Sequence, residues 1–327
     1  MSASAAHDDR DHSADRSGSI PSDGLAKAEG AIALALGGGG ARGIAHIGVL
    51  KVLEERSVPI DMVVGTSIGA LGAALYGLEP SWRYVRERVF AFLRSEGFAK
   101  YGKGLTDSAV GGSRPGLLGR AWLLAKKSLA LQAMLLRRSL VGRRRLAEAI
   151  CAILPDKSFS DAVLPCAIVA LDLATGEEVI LRDGSLREAA IASASLAGFF
   201  PPVEREGRLL ADPSPVSSVP VAASRRLGAR GVVAVDIRSR VMPLRDIPSA
   251  ADAVFRVSAL ACERANDAQL ALADVVINPE VGGTYWSDFH DLEAHVERGS
   301  AAALAALPKL EALLGRLGRR PGAGTAR

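Results

Sequence analysis

Gly65-Thr66-Ser67-Ile68-Gly69 sets a serine between two glycines, after the apolar run Met62-Val63-Val64 and before a stretch of small residues with helical character. A hydroxyl at the point of a strand-to-helix bend is held out of the core and can serve as a nucleophile. The flanking glycines, having no Cβ, allow the bend and leave room for a substrate. The free N–H groups of the following helix face the place where negative charge develops in acyl transfer. Five-residue patterns recur by chance, so the strand before and the helix after give this one its weight.

A second turn precedes it. Gly37-Gly38-Gly39-Gly40-Ala41-Arg42-Gly43 follows the apolar run Ile32 to Leu36. Gly38, Gly40 and Gly43 satisfy G-x-G-x-x-G, which invites a dinucleotide-binding reading. That reading wants an acidic residue at the end of the second strand, to hold a ribose. Asp61 stands at the beginning of that strand, and its end is the serine elbow. No Gly-Lys-Ser/Thr follows, so the turn is not a Walker loop either. Four unbroken glycines suit a loop whose backbone N–H groups point inward, an oxyanion hole.

The serine needs a base. His46 falls on the helix after the glycine turn and reads as a packed residue. His290 and His295 lie in or near the last helix with no surrounding motif. Either would complete a Ser–acid–His order, but a carboxylate is the favoured reading. Asp212 is the candidate, in the constrained stretch Asp212-Pro213-Ser214-Pro215. A lone aspartate in such a stretch is more often a turn or cap, so spacing alone leaves this open.

These groups need a scaffold. Buried-type strands are expected at Ala31–Leu36, Asp61–Val64, Cys166–Leu173, Gly231–Ile237 and Asp274–Asn278, with a short one at Val179–Leu181. Helices are expected over 186–196, 219–227, 242–272 and 292–314, the last interrupted at Pro308. Alternating strands and helices imply an α/β fold with a mostly parallel sheet. The chain has 327 residues, enough for a large core, with 49% apolar and 23% charged residues and a net charge of +4. Cys151, Cys166 and Cys262 are scattered, without metal-ligand spacing, and read as reduced thiols.

Residues 1–30 are polar and are expected to be a disordered tail, with no secretory h-region. No run reaches about eighteen uncharged apolar residues, so no transmembrane helix is expected. The segment 81–154 reads as helical. It has no acidic residue between Ser108 and Ala147. On a helix from Trp122 to Leu140, Lys126 and Lys127 share a side with Arg137 and Arg138, and apolar residues share another. That pattern suits either an anionic membrane surface or an ordinary surface helix.

Taken together, Gly38-Gly39-Gly40-Ala41-Arg42-Gly43, Ala45-His46-Ile47-Gly48-Val49-Leu50 and Gly65-Thr66-Ser67-Ile68-Gly69 resemble the patatin-like phospholipases. Bacterial and neuropathy-target-esterase-like lysophospholipases are closest in pattern. The resemblance continues through Ala170 to Gly176, Ala192-Ser193, Phe200-Pro201-Pro202-Val203, Asp212 with Val219-Pro220-Val221, and Val233 to Asp236. It implies a three-layer α/β/α fold and a Ser–Asp dyad that cleaves acyl esters of phospholipids or lysophospholipids. It implies no metal and no cofactor. Residue by residue, Ser67 is the nucleophile and Asp212 the base. Gly38, Gly39, Gly40, Ala41, Arg42 and Gly43 form the oxyanion hole, and Gly65 and Gly69 flank the elbow. One departure stands out: the family's aspartate is followed by Gly and then Gly or Ala, and here by Pro213 and Ser214.

The expected organisation is an acyl hydrolase domain over 31–314, with a basic helical insertion at 81–154 and a loose tail at 315–327. The expected setting is cytoplasmic and peripheral at the inner face of a membrane, without nucleic-acid partners. The competing reading is a catalytically weak lipid-binding or scaffold protein of the same fold. A nucleotide-binding oxidoreductase is remote.

Overall fold

The computed structural model describes residues 31–98, 139–281 and 283–322. Among these residues eight strands form one sheet. Its parallel centre runs β3 (Cys166–Asp172), β2 (Met62–Thr66), β1 (Ile32–Leu36), β7 (Gly231–Val235) and β8 (Val275–Ile277). The far edge of β3 carries β4 (Glu178–Leu181) and β6 (Arg208–Ala211), both antiparallel, and β5 (Val203–Arg205) pairs with β6.

Strand periodicity sorts the two faces. In β1, Ile32, Leu34 and Leu36 join one core, while Ala33 and Ala35 join the other. The larger face is covered by α1 (Ala45–Glu55), α2 (Ile68–Leu78), α3 (Trp82–Leu93), α4 (Arg143–Ile153), α5 (Leu186–Ser193) and α9 (Leu292–Arg316). The smaller face is covered by α7 (Val221–Arg226) and α8 (Ala250–Leu270), with the one-turn α6 (Ser214–Ser217) beside them. Helices on both sides of a mostly parallel sheet make the expected three-layer α/β/α architecture. Its central strands are apolar throughout because both of their faces are covered.

Several boundaries differ from expectation, each for a local reason. The helix expected from Met242 begins at Ala250. Pro248 disfavours helical geometry in the residue before it, and the Ser249 hydroxyl accepts the Asp252 N–H at 3.1 Å as an N-cap. Pro308 does not interrupt α9, whose Ala303, Ala306, Leu310 and Leu313 are buried on either side of it. The helix expected to reach Leu196 ends at Ser193. The β5–β6 hairpin went unread; its turn residues Glu206 and Gly207 both take positive φ.

The tail expected to be loose from 315 is tied back as far as 322. Arg319 pairs with Asp61 at 2.9 Å, and the Gly322 N–H donates to the Ser57 carbonyl at 3.0 Å. Asp61 also accepts the Ile32 N–H at 2.8 Å. It therefore pins the start of β1 to the chain end, a structural task. The tail 1–30 and the basic side formed by Lys126, Lys127, Arg137 and Arg138 lie outside the described residues. Among the described residues no helix is long and apolar enough to cross a membrane.

Candidate active site

The site forms at the C-terminal ends of β1, β2 and β6. Ser67 follows β2 with φ 55 and ψ −120, outside the common regions for a residue with a side chain. The surroundings hold that conformation. A Cβ on Gly69 would fall 2.1 Å from the Leu36 carbonyl oxygen, and one on Gly65 would fall 2.1 Å from that of Gly69. Only glycine lets the two strand ends and the helix start approach so closely. The Ser67 N–H donates to the Ser193 hydroxyl at 2.8 Å, and that hydroxyl donates to the Val169 carbonyl at 2.6 Å. Ser193 has no solvent exposure. It ties the elbow to β3, a role that its sequence position does not disclose.

The glycine turn lies alongside. The Gly38 N–H donates to the Ser218 carbonyl at 2.9 Å, and the Ala41 N–H to the Trp286 carbonyl at 2.7 Å. Both donors hold the loop in place. The N–H groups of Gly39 and Gly40 have no acceptor among the described residues. Arg42 bonds within the turn, its Nε–H donating to the Gly39 carbonyl at 3.1 Å and its guanidinium to the Ser239 hydroxyl. Burial lowers its pKa, partly offset by Asp236. Gly43 lies against the side chain of Ile68 at the start of α2.

His46 Nε2 lies 2.9 Å from the Gly37 carbonyl oxygen. A carbonyl only accepts, so Nε2 carries the proton. Nδ1 is buried without a partner among the described residues. Burial therefore pushes the imidazole pKa down to about 4. His46 braces the glycine turn as a neutral ring. His295 is bonded to the Asp291 carbonyl and the Thr284 hydroxyl, and His290 does not line the cavity.

Asp212 leaves β6 as a 4% exposed residue, its N–H held by the Ser195 carbonyl at 3.0 Å. Desolvation raises its pKa. Hydrogen bonding by the Ser214 side chain, the Ser67 side chain and the Ser214 N–H acts against that rise. Ser67 and Asp212, 145 positions apart in the numbering, are thus brought to one cavity. A buried carboxylate of raised pKa is a stronger proton acceptor than a solvated one. Pro213 does not turn Asp212 away from Ser67. The loop after it is clamped by buried Asn266, which donates to the Ser214 carbonyl at 3.1 Å and accepts the Ser218 N–H at 2.5 Å.

Ser67 and Asp212 open on a cavity of about 540 Å³. Its walls include Val85, Val89 and Phe92 of α3, Leu146 and Ile150 of α4, and Phe199, Trp286 and Phe289. The helical segment between β2 and β3 thus builds an apolar chamber over the serine. Among the described residues no group of His, Cys, Asp and Glu could hold a metal ion.

The family model described as patatin-like phospholipase matches residues 34–223. The human patatin-like phospholipase domain-containing protein 6 is 33% identical over 214 residues, covering 64% of this chain and 13% of its own length. The neuropathy target esterase sws of Drosophila melanogaster is 31% identical over 211 residues, covering 64% of this chain and 13% of its own length. Lysophospholipase NTE1 of Mycosarcoma maydis is 33% identical over 208 residues, covering 64% of this chain and 10% of its own. The chain spans about 14% of the length of the mouse relative that it matches. The solved structure of VipD from Legionella pneumophila is similar at 15% identity and a TM-score of 0.45, over 87% of this chain and 67% of that one.

Proposed function

The chain belongs to the patatin-like phospholipase family, and from that premise we propose that it hydrolyses fatty-acyl esters of phospholipids or lysophospholipids through an acyl-enzyme on Ser67. One observation carries the reading. A serine on a strained elbow and a buried carboxylate line the same apolar chamber.

In the proposed reaction, Ser67 Oγ attacks the ester carbonyl carbon while its proton passes to Asp212. The carbonyl oxygen becomes an oxyanion. The Gly39 and Gly40 N–H groups are loop donors available to receive it, with the N-terminus of α2 adding favourable potential. As the ester C–O bond breaks, the leaving alcohol takes the proton from Asp212. Water then attacks the acyl-enzyme, giving its proton to Asp212, and the fatty acid departs as Ser67 regains a proton. The chamber would shelter the acyl chain and keep bulk water from the dyad. No step requires a metal or cofactor.

Fluorophosphonate labelling of wild type, Ser67→Ala and Asp212→Asn tests this. Wild type should label at Ser67, and both variants should lose labelling. A wild type that does not label would sink the hydrolase reading and restore the lipid-binding one. Labelling that survives Asp212→Asn would remove Asp212 as base.

A further inference from the structure

Asp212 is followed by a residue with no N–H, since Pro213 cannot donate. A buried carboxylate needs donors, or its charged form is lost. We propose that Ser214 is a positioning residue for the reaction, holding the Asp212 carboxylate toward Ser67 with both its backbone N–H and its hydroxyl. This rests on the Ser67–Asp212 reading above and says how this chain sustains it.

The geometry is specific. The Ser214 N–H donates to Asp212 Oδ1 at 2.8 Å, closing a two-residue Asx turn. Pro213 sits inside that turn at φ −81 and ψ −3, so its ring presets the bend that brings the next N–H under the carboxylate. The Ser214 hydroxyl is beside the same carboxylate and favours its charged form. It lies in the site itself. A Cβ built on Gly38 would fall 2.4 Å from Ser214 Oγ and 3.2 Å from Ser67 Cβ, so the two serines crowd the same side of the glycine turn. Ser214 is fixed from behind, because Asn266 Nδ2–H donates to its carbonyl at 3.1 Å and to that of Cys262 at 2.8 Å. The Ser214 N–H, itself fixed by Asn266, thereby holds the carboxylate at Oδ1.

The grip also affects protonation. Donors to the charged form lower a carboxyl pKa, so removing the Ser214 hydroxyl should raise that of Asp212 further. Charged residues lining the same cavity are Arg42, Arg238 and Glu263. None is among the causes that shift Asp212. Arg238 is paired with Asp236 and Asp267, and Glu263 accepts the Val241 N–H. His46 faces the glycine turn as a neutral ring. The pH response should therefore follow the hydroxyls around Asp212.

The test is turnover of a soluble short-chain ester by wild type, Ser214→Ala, Ser214→Thr and Asp212→Asn, with a thermal melt of each. Ser214→Ala should lose about tenfold or more in kcat, the scale of one hydrogen bond to a charged group. Its KM should be unchanged, and the acid limb of its pH profile should move up by roughly half a unit or more. Ser214→Thr, which keeps the hydroxyl, should retain most of the kcat. If Ser214→Ala keeps the wild-type kcat and acid limb, or Ser214→Thr is as impaired as Ser214→Ala, the inference is overturned. Asp212→Asn separates the two levels. If it abolishes turnover while Ser214→Ala is silent, only this inference fails; if it is itself silent, the dyad fails with it.

Discussion

The backbone N–H of Ser67 and the hydroxyl of Ser193 meet at 2.8 Å, although 126 residues separate them. The same hydroxyl reaches on to the Val169 carbonyl, so the Ser67 elbow is anchored to the neighbouring strand through one buried side chain. A serine held at φ 55 would relax unless its surroundings fixed it.

Ser193→Ala removes the acceptor for one buried N–H and the donor for one buried carbonyl. Each orphaned group costs about 1–3 kcal/mol. The variant should lose stability on that scale in urea unfolding. Its fluorophosphonate labelling should also slow, because the elbow is freer. Unchanged labelling in a destabilised protein would show that Ser193 supports the fold and not the nucleophile's geometry.

The two turns were legible because each is local. Seven consecutive residues carry the glycine turn and five carry the elbow, and their flanking strands are apolar on both faces for a reason that sequence displays. Asp212 was different. Its partner lies across the sheet, and on spacing alone it was a cap. Only the resemblance singled it out. The resemblance includes Ser193 but not its task, and Asn266 is not in it at all, because each acts by a side-chain bond to the backbone of a distant segment. No periodicity reports such a bond. The start of α8 was misplaced although its signals were present, Pro248 and then a capping Ser249.

His46 makes stability depend on pH in a direction opposite to the usual histidine. Its folded pKa of about 4 lies below the ordinary value of 6.5, so the folded state resists the proton. The contribution is fully present above pH 6.5 and is lost as pH falls through 4. The depression corresponds to about 3 kcal/mol at most. Urea unfolding of wild type should therefore weaken over that window more than that of His46→Gln. Parallel pH profiles for the two would exclude His46 as the origin. The depressed value comes from burial, which disfavours the charged ring, and among the described residues Nδ1 has no acceptor for the added proton.

The chamber makes a prediction about chain length. Ala149 of α4 lines it beside Leu146 and Ile150, so Ala149→Trp would place a large ring where an acyl chain should lie. Each buried methylene is worth about 0.8 kcal/mol, or roughly fourfold in binding. In wild type, kcat/KM across a series of esters should climb by up to about that factor per methylene until the chamber is full. In Ala149→Trp the climb should stop several carbons earlier, while the shortest esters react as in wild type, because Ser67 and Asp212 are untouched. A uniform loss at every length would mean that the substitution had disturbed the dyad. An unchanged series would mean that the acyl chain lies elsewhere, and the helices α3 and α4 would lose their part in substrate selection.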